Sequence, residues 1–182
     1  MASPRVGRPG SGLPGPIADE SFGRTGGGGV EVQIVTFPET KVAALEHRGP
    51  PALEHQTIRK LITWRLEHRL SPDRHRSYGV HYHDPRITPP QDYRVDFCIS
   101  VEQDVAENPH GVVNKVIPGG RCALVRHLGS REQISSAIYL HDLWLPQSGE
   151  VLRDFPIFFH YVNVGPQVKT AEMITDVYLP VR

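Results

Sequence analysis

Apolar and polar positions mix along "KVAALEHR" (residues 41–48), which closes on Gly49 as a strand closes on a turn. After Gly49-Pro50-Pro51, the segment "ALEHQTIRKLITWRLEHRL" places Leu53, Ile58, Leu61, Ile62 and Leu66 at helical spacings. Then "YGVHYHD" and "YRVDFCISV" read as a hairpin with a long connection, "PRITPPQD". The same order returns further on. "RCALVRHL" ends on Gly129, and Ser130 stands as N-cap of a second helix with Gln133 at the capping-box position. "PIFFHYVNV" and "AEMITDVYLPV" supply the second hairpin.

The recurrence has a fixed offset of 80 residues: His47 matches His127, Gly49 matches Gly129, Ile58 matches Ile138, Trp64 matches Trp144, Asp96 matches Asp176 and Val101 matches Val181. "HYHD" at 81–84 resembles "HYVN" at 160–163 one residue out of step, which pairs Tyr82 with Tyr161. Two copies are too few for a solenoid, so the pattern predicts one pseudo-twofold domain. The expected fold is α+β. Two strand-helix-strand-strand repeats, about 30–101 and about 112–182, join into one antiparallel sheet with both helices on one face. A central ligand cleft follows the pseudo-twofold axis on the other face.

Residues 1–29 contain nine glycines and four prolines and show no apolar periodicity. Such a segment cannot bury enough surface to offset its ordering entropy, so it is expected to be a flexible leader before a ligand-binding domain at 30–182. Twenty basic and twenty acidic side chains cancel, which argues against a phosphate-tracking, nucleic-acid-binding surface. No apolar run reaches the roughly 18 residues of a membrane span, and no signal-peptide core begins the chain. Cys98 and Cys122 belong to no metal or redox spacing and suit a reducing, cytoplasmic setting.

Ten histidines raise the question of a metal. His81 and His83 alternate on one strand and share a face, but no third ligand stands at a diagnostic spacing, so no metal and no cofactor are expected. His47 and His127 are repeat mates and are read as packing residues. Asp96 and Asp176, on the last strands, are read as structural charges at a sheet edge or turn. No nucleophile elbow, phosphate loop or zinc-protease helix is present. Aromatic residues carry more information. Phe159 and Tyr161 share one strand face, with Phe158 and His160 on the other. Tyr82, Phe159 and Tyr161 serve equally well as pocket lining or core, and Trp64 and Trp144 lie at matched helix ends.

Read together, "VAALEHRGP", "LITW", "YHDPRITPPQDYRVDFC", "IPGGRCALVRHLG", "WLPQSG" and the late Pro-x-Phe-x-x-Tyr of Pro156 to Tyr161 resemble the GyrI-like, or SbmC-like, small-molecule-binding domain. That domain also serves as the effector-binding part of AraC-type and MerR-type regulators, and the likeness runs from about Val32 to Val181. It implies two strand-helix-strand-strand repeats around a cleft. Two positions depart from the family pattern. Phe159 stands where a cleft glutamate is usual, the residue that pairs with cationic drugs in multidrug sensors or serves catalysis in members resembling cyclopropane hydrolases. His83 replaces a usual acidic residue. Phenylalanine at 159 weakens both the cation-sensing and the hydrolase readings and offers a stackable apolar wall instead.

The expected function is capture of a small aromatic or apolar, drug-like ligand. Tyr82, Phe159, Tyr161 and Trp144 line the site, Trp64 and His160 stand at its rim, and no residue is assigned to catalysis. The alternatives are modulation of DNA gyrase, association with a transcription regulator as partner, or hydrolysis of cyclopropane-type electrophiles. No membrane contact is expected.

Overall fold

Each repeat contains one more strand than its local pattern announces. The computed structural model describes residues 30–182 and, as backbone only, a two-residue strand β1 (Ile17–Ala18). The rest of the leader expected at 1–29 lies outside the described residues. In chain order come β2 (Gln33–Phe37), β3 (Thr40–Arg48), α1 (Glu54–Glu67), β4 (Ser77–His81) and β5 (Arg94–Ser100). The second repeat supplies β6 (Val113–Ile117), β7 (Gly120–Leu128), a helical run, β8 (Phe158–Tyr161) and β9 (Ile174–Pro180). The helical run comprises α2 (Ser135–Ile138), a π-helical turn (Tyr139–Trp144) and α3 (Leu145–Ser148).

The sheet order is β1-β2-β7-β9-β8-β4-β5-β3-β6, antiparallel throughout. The two repeats exchange their first strands. β2 of repeat one pairs with β7, and β6 of repeat two pairs with β3. Strand-helix-strand-strand therefore becomes strand-strand-helix-strand-strand, and the extra strands clip the halves together. β2 and β3 are joined by only Pro38-Glu39, yet they do not form a hairpin, because each finds its partner in the other repeat.

The sheet curls. β2 and β4 stand four places apart in the order, which would separate them by roughly 19 Å in a flat sheet. The rings of Phe37 on β2 and Tyr78 on β4 nevertheless lie 6.0 Å apart. Phe158 and Tyr178 stack beside them at 5.0 Å, and Phe37 meets each edge-on at 4.8 and 5.1 Å. These four rings, with Val42, Ala44, Cys98, Ile117 and Cys122, fill the inner face of a half-barrel and are buried. Both helices lie on the outer face, and the opposite face, where the ligand cleft is expected, is instead largely filled by this core. α1 packs Leu61 and Trp64 on Ala43, Val95, Phe97 and Ile99, while the second helical run packs Leu140 on Ala123, Val125, Val177 and Leu179.

His47 and His127 fasten these helices in the same way. Their Nε2–H groups donate to the carbonyls of Pro50 and Ser130 (3.0 Å each), leaving Nδ1 to accept from the hydroxyls of Thr57 (2.8 Å) and Ser136 (3.2 Å). Ser130 is not the expected N-cap. Its hydroxyl accepts from the Glu132 N–H at 3.2 Å within a bend, and the helix starts later, at Ser135. Pro146 lies at the start of α3, directly after the π-helical turn of the continuous run, and Gly149 (φ 77°) ends that run in the left-handed region.

Candidate functional site

Register fixes which side chains meet between the two helices. Tyr78 pairs with Cys98 and Phe158 with Tyr178, so β4 and β8 correspond at the 80-residue offset shared by the flanking strands. Gly79 is thus the repeat mate of Phe159, and the two are also cross-strand partners. The pseudo-twofold axis passes between them. His81 answers Tyr161, whereas Tyr82 answers Val162, so the pairing of Tyr82 with Tyr161 expected from the one-residue slip does not hold. Because strand side chains alternate, that slip puts the two tyrosines on opposite faces.

The six expected ligand residues accordingly divide. Phe159, Tyr161, Trp64 and Trp144 lie on the outer, helix-bearing face. Phe159 is buried, Trp144 half-buried, and Tyr161 packs against the clusters beneath both helices. Trp64 stacks on His68 at 4.4 Å, and its Nε1–H is buried without a partner. Tyr82 and His160 face the inner side. The Tyr82 hydroxyl donates to Asp96 Oδ2 (2.7 Å), which also accepts from Lys115 Nζ (2.6 Å), and the Arg94 guanidinium lies 4.1 Å above the Tyr82 ring. Asp176 is held by both arms of Arg126 at 2.8 and 3.0 Å. These two aspartates are buried inner-face charges, each with a cationic partner, rather than edge or turn residues.

His160 sits at the mouth of the half-barrel, in an opening of about 360 Å³ shared with Arg76, Arg126, Asp176 and Tyr178. Burial, and next the positive charge of Arg76, lower its pKa to about 4. Among the described residues no group of three or more His, Cys, Asp or Glu side chains could hold a metal ion.

Between the helices the floor is aromatic and asymmetric. The His81 and Phe159 rings lie 4.2 Å apart at 38°, Phe159 meets Tyr161 edge-on at 6.5 Å, and Arg131 caps the Tyr161 ring at 5.2 Å. Arg131 is anchored to the Thr175 hydroxyl and the carbonyls of Asn163 and Ile174. A side chain on residue 79 would collide with the Tyr161 hydroxyl and come 3.2 Å from His81 Nε2, so both groups reach over Gly79. Three residues without a part in the expected site complete it. His81 Nδ1 lies 3.1 Å from the Tyr93 hydroxyl, and the carboxylate of Glu54 in the first turn of α1 lies beside that hydroxyl. Burial raises the Glu54 pKa, and the Tyr93 hydroxyl and the nearby His47 counter that rise. Burial alone lowers His81 to about 4, which keeps the imidazole neutral. Glu54 and Tyr93 are 39 residues apart and join only through the fold, so no local pattern announces them.

Residues 30–182 match the sequence profile of the GyrI-like small molecule binding domain over the whole described domain. The chain belongs to the GyrI-like family. It is 40% identical over 153 residues to the "Probable transcriptional regulator YgiV" of Escherichia coli strain K12, covering 83% of this chain and 96% of that one. It is 29% identical over 156 residues to a "DNA gyrase inhibitor" of Erwinia billingiae, covering 84% and 97%. In fold it is similar to the C-terminal domain of EcmrR, with a TM-score of 0.65, 20% identity and coverage of 84% and 98%. Against EcmrR in its complex with DNA the TM-score is 0.67 at 18% identity. There the match covers 84% of this chain and 57% of the other, so this chain spans little more than half of that one. Within this GyrI-like fold Phe159 occupies the axial position of the floor, and α1 supplies a carboxylate, Glu54, beside Tyr93.

Proposed function

We propose that this GyrI-like protein is an effector-binding module that captures small, flat, largely apolar aromatic molecules in the outer groove between α1 and the second helical run. One observation carries the reading. The groove floor at the pseudo-twofold axis is the tilted ring pair His81–Phe159 with Tyr161 edge-on, a surface that rewards a planar ring. Removing aromatic area from water contributes roughly 25 cal/mol per Å² before the costs of association. The more open space at the half-barrel mouth suits an apolar ligand less, since Arg126 and Asp176 line it and already satisfy each other. Phe159, Tyr161 and Trp144 form the site in this reading, with Trp64 behind it. Tyr82 and His160, on the other face, take no part.

Trp64 and Trp144 are the chain's two tryptophans, so their fluorescence reports on both sides of the groove. Titrating a panel of aromatic compounds should quench that emission and raise the melting temperature. Phe159→Ala should weaken every hit, and unchanged affinities would remove the groove as the site.

A regulatory role follows from similarity to YgiV and EcmrR, with the DNA-binding part supplied by a partner chain or a further segment. The gyrase-inhibitor relative supports a second reading, modulation of DNA gyrase. A supercoiling assay separates the two: the groove reading expects no inhibition at stoichiometric excess of protein. Among the described residues no helix is long and apolar enough to cross a membrane, and the unpaired, buried Cys98 and Cys122 suit a cytoplasmic location.

A further inference from the structure

The row Glu54–Tyr93–His81 has a direction. The Glu54 carboxylate lies beside the Tyr93 hydroxyl and can only accept, so its negative charge draws the single hydroxyl proton toward it and away from His81. The Tyr93 oxygen, 3.1 Å from His81 Nδ1, must then accept, which places the imidazole proton on Nδ1. Nε2 is left with a bare lone pair. That atom is buried and has no hydrogen-bond partner, and it reaches over Gly79 beside the Tyr161 hydroxyl. A buried acceptor left unmade is costly, and a ligand that completes it recovers that cost. Glycine at 79, where the repeat mate is Phe159, leaves room for both groups at the axis.

We infer that His81 Nε2 is a hydrogen-bond acceptor subsite in the groove floor, selecting planar aromatic ligands that carry an N–H or O–H donor, as indoles and phenols do. This rests on the groove reading above and adds a chemical requirement to it. Stacking against Phe159 sets the plane of the ligand, and the donor sets its orientation. Glu54 and Tyr93 touch no ligand and act as positioning residues by fixing the tautomer of His81.

The test compares indole with 1-methylindole, which differ by the donor alone, by fluorescence titration at pH 7. The wild-type protein should bind indole roughly tenfold tighter, as expected for one hydrogen bond to a buried acceptor. His81→Phe keeps a ring against Phe159 and should bind the two equally. In Glu54→Gln, the amide can donate to the Tyr93 oxygen. The Tyr93 proton then turns to Nδ1, the imidazole proton moves to Nε2, and indole should lose its advantage. Nitrogen-15 NMR of the imidazole in the ligand-free protein reads the same point directly: Nδ1–H in wild type, Nε2–H in Glu54→Gln. Equal binding of the two probes by wild type, or an Nε2–H tautomer in it, overturns the acceptor subsite and leaves the groove standing. If neither probe binds, the groove itself fails and the subsite with it.

Discussion

Gly79 and Phe159 are at once cross-strand partners and repeat mates, so the pseudo-twofold axis runs between a residue with no side chain and one with a large ring. A duplicated domain with identical residues there would seat two rings or none. This one seats one ring and fills the vacant side with His81 and Tyr161 reaching over the glycine backbone. Asymmetry at the axis turns a symmetric scaffold into a floor with one apolar and one polar half.

Phe159 is 8% exposed and packs with Val177 and Leu179 beneath the second helical run. Phe159→Ala should cost about 3–5 kcal/mol of stability, the usual range for emptying a buried phenylalanine site. Phe159→Leu should cost less than half of that while still removing the stacking surface. Urea unfolding of both variants beside ligand titrations separates packing from binding: Phe159→Leu should remain folded and yet lose affinity for aromatic probes.

The paired histidine fasteners predict matched, additive losses. His47 is 5% exposed and ties strand β3 to both the Pro50 carbonyl and the Thr57 hydroxyl of the helix entry. His127 does the same between β7 and the second helical run. Either histidine changed to alanine should lose about 2 kcal/mol, from two hydrogen bonds of about 1 kcal/mol each. The double variant should lose the sum, since the two sites share no partner. A coupling above about 0.5 kcal/mol in denaturant melts would contradict independent fasteners.

Much of this architecture was legible in the sequence because repetition exposes it. The 80-residue offset placed His47 with His127 and Trp64 with Trp144, and the fold pairs them as equivalents. The helical spacing of Leu61 with its neighbours located α1. What escaped depends on contacts between distant segments. β2 and β6 are short, and each finds its partner in the other repeat, so nothing local marks them as sheet members. The likeness of "HYHD" to "HYVN" outweighed the strand register. Since side chains alternate, that single step moved Tyr82 into the company of Tyr161, when it belongs against Asp96 on the other face. Nothing in the local pattern sets Glu54 or Tyr93 apart, and only the fold brings them together beside His81.

Gly79 tests the crowding at the axis. A methyl group there would overlap the Tyr161 hydroxyl and press on His81 Nε2, so Gly79→Ala should destabilise by about 1–3 kcal/mol, the usual cost of overpacking. Tyr161→Phe removes the hydroxyl that the methyl meets first. The double variant Gly79→Ala/Tyr161→Phe should therefore recover at least half the loss, read as a favourable coupling in a double-mutant cycle of thermal melts. Strict additivity would place the strain elsewhere than against Tyr161.

Acid should loosen the domain through two buried histidines. Burial holds His81 and His160 neutral by lowering each from the ordinary imidazole value of about 6.5 to about 4. Between those values the unfolded chain binds a proton that the folded chain refuses, so stability falls as pH drops from about 6.5 to about 4 and levels off below. At 1.36 kcal/mol per pKa unit, the ceiling is on the order of 3 kcal/mol for each histidine. Glu54 works the other way, since its raised pKa lets the folded state keep a proton longer and gains stability on acidification. Asp142, lowered to about 2 by Arg86 and then His141, adds its loss only below about 3.8, outside the histidine window. Urea midpoints at pH 7, 5 and 4 should therefore decline steadily in wild type. His81→Phe should flatten roughly half of that decline, and His81→Phe/His160→Phe most of it. An undiminished decline in the double variant would assign the acid sensitivity to groups outside both faces of the β4–β8 pair.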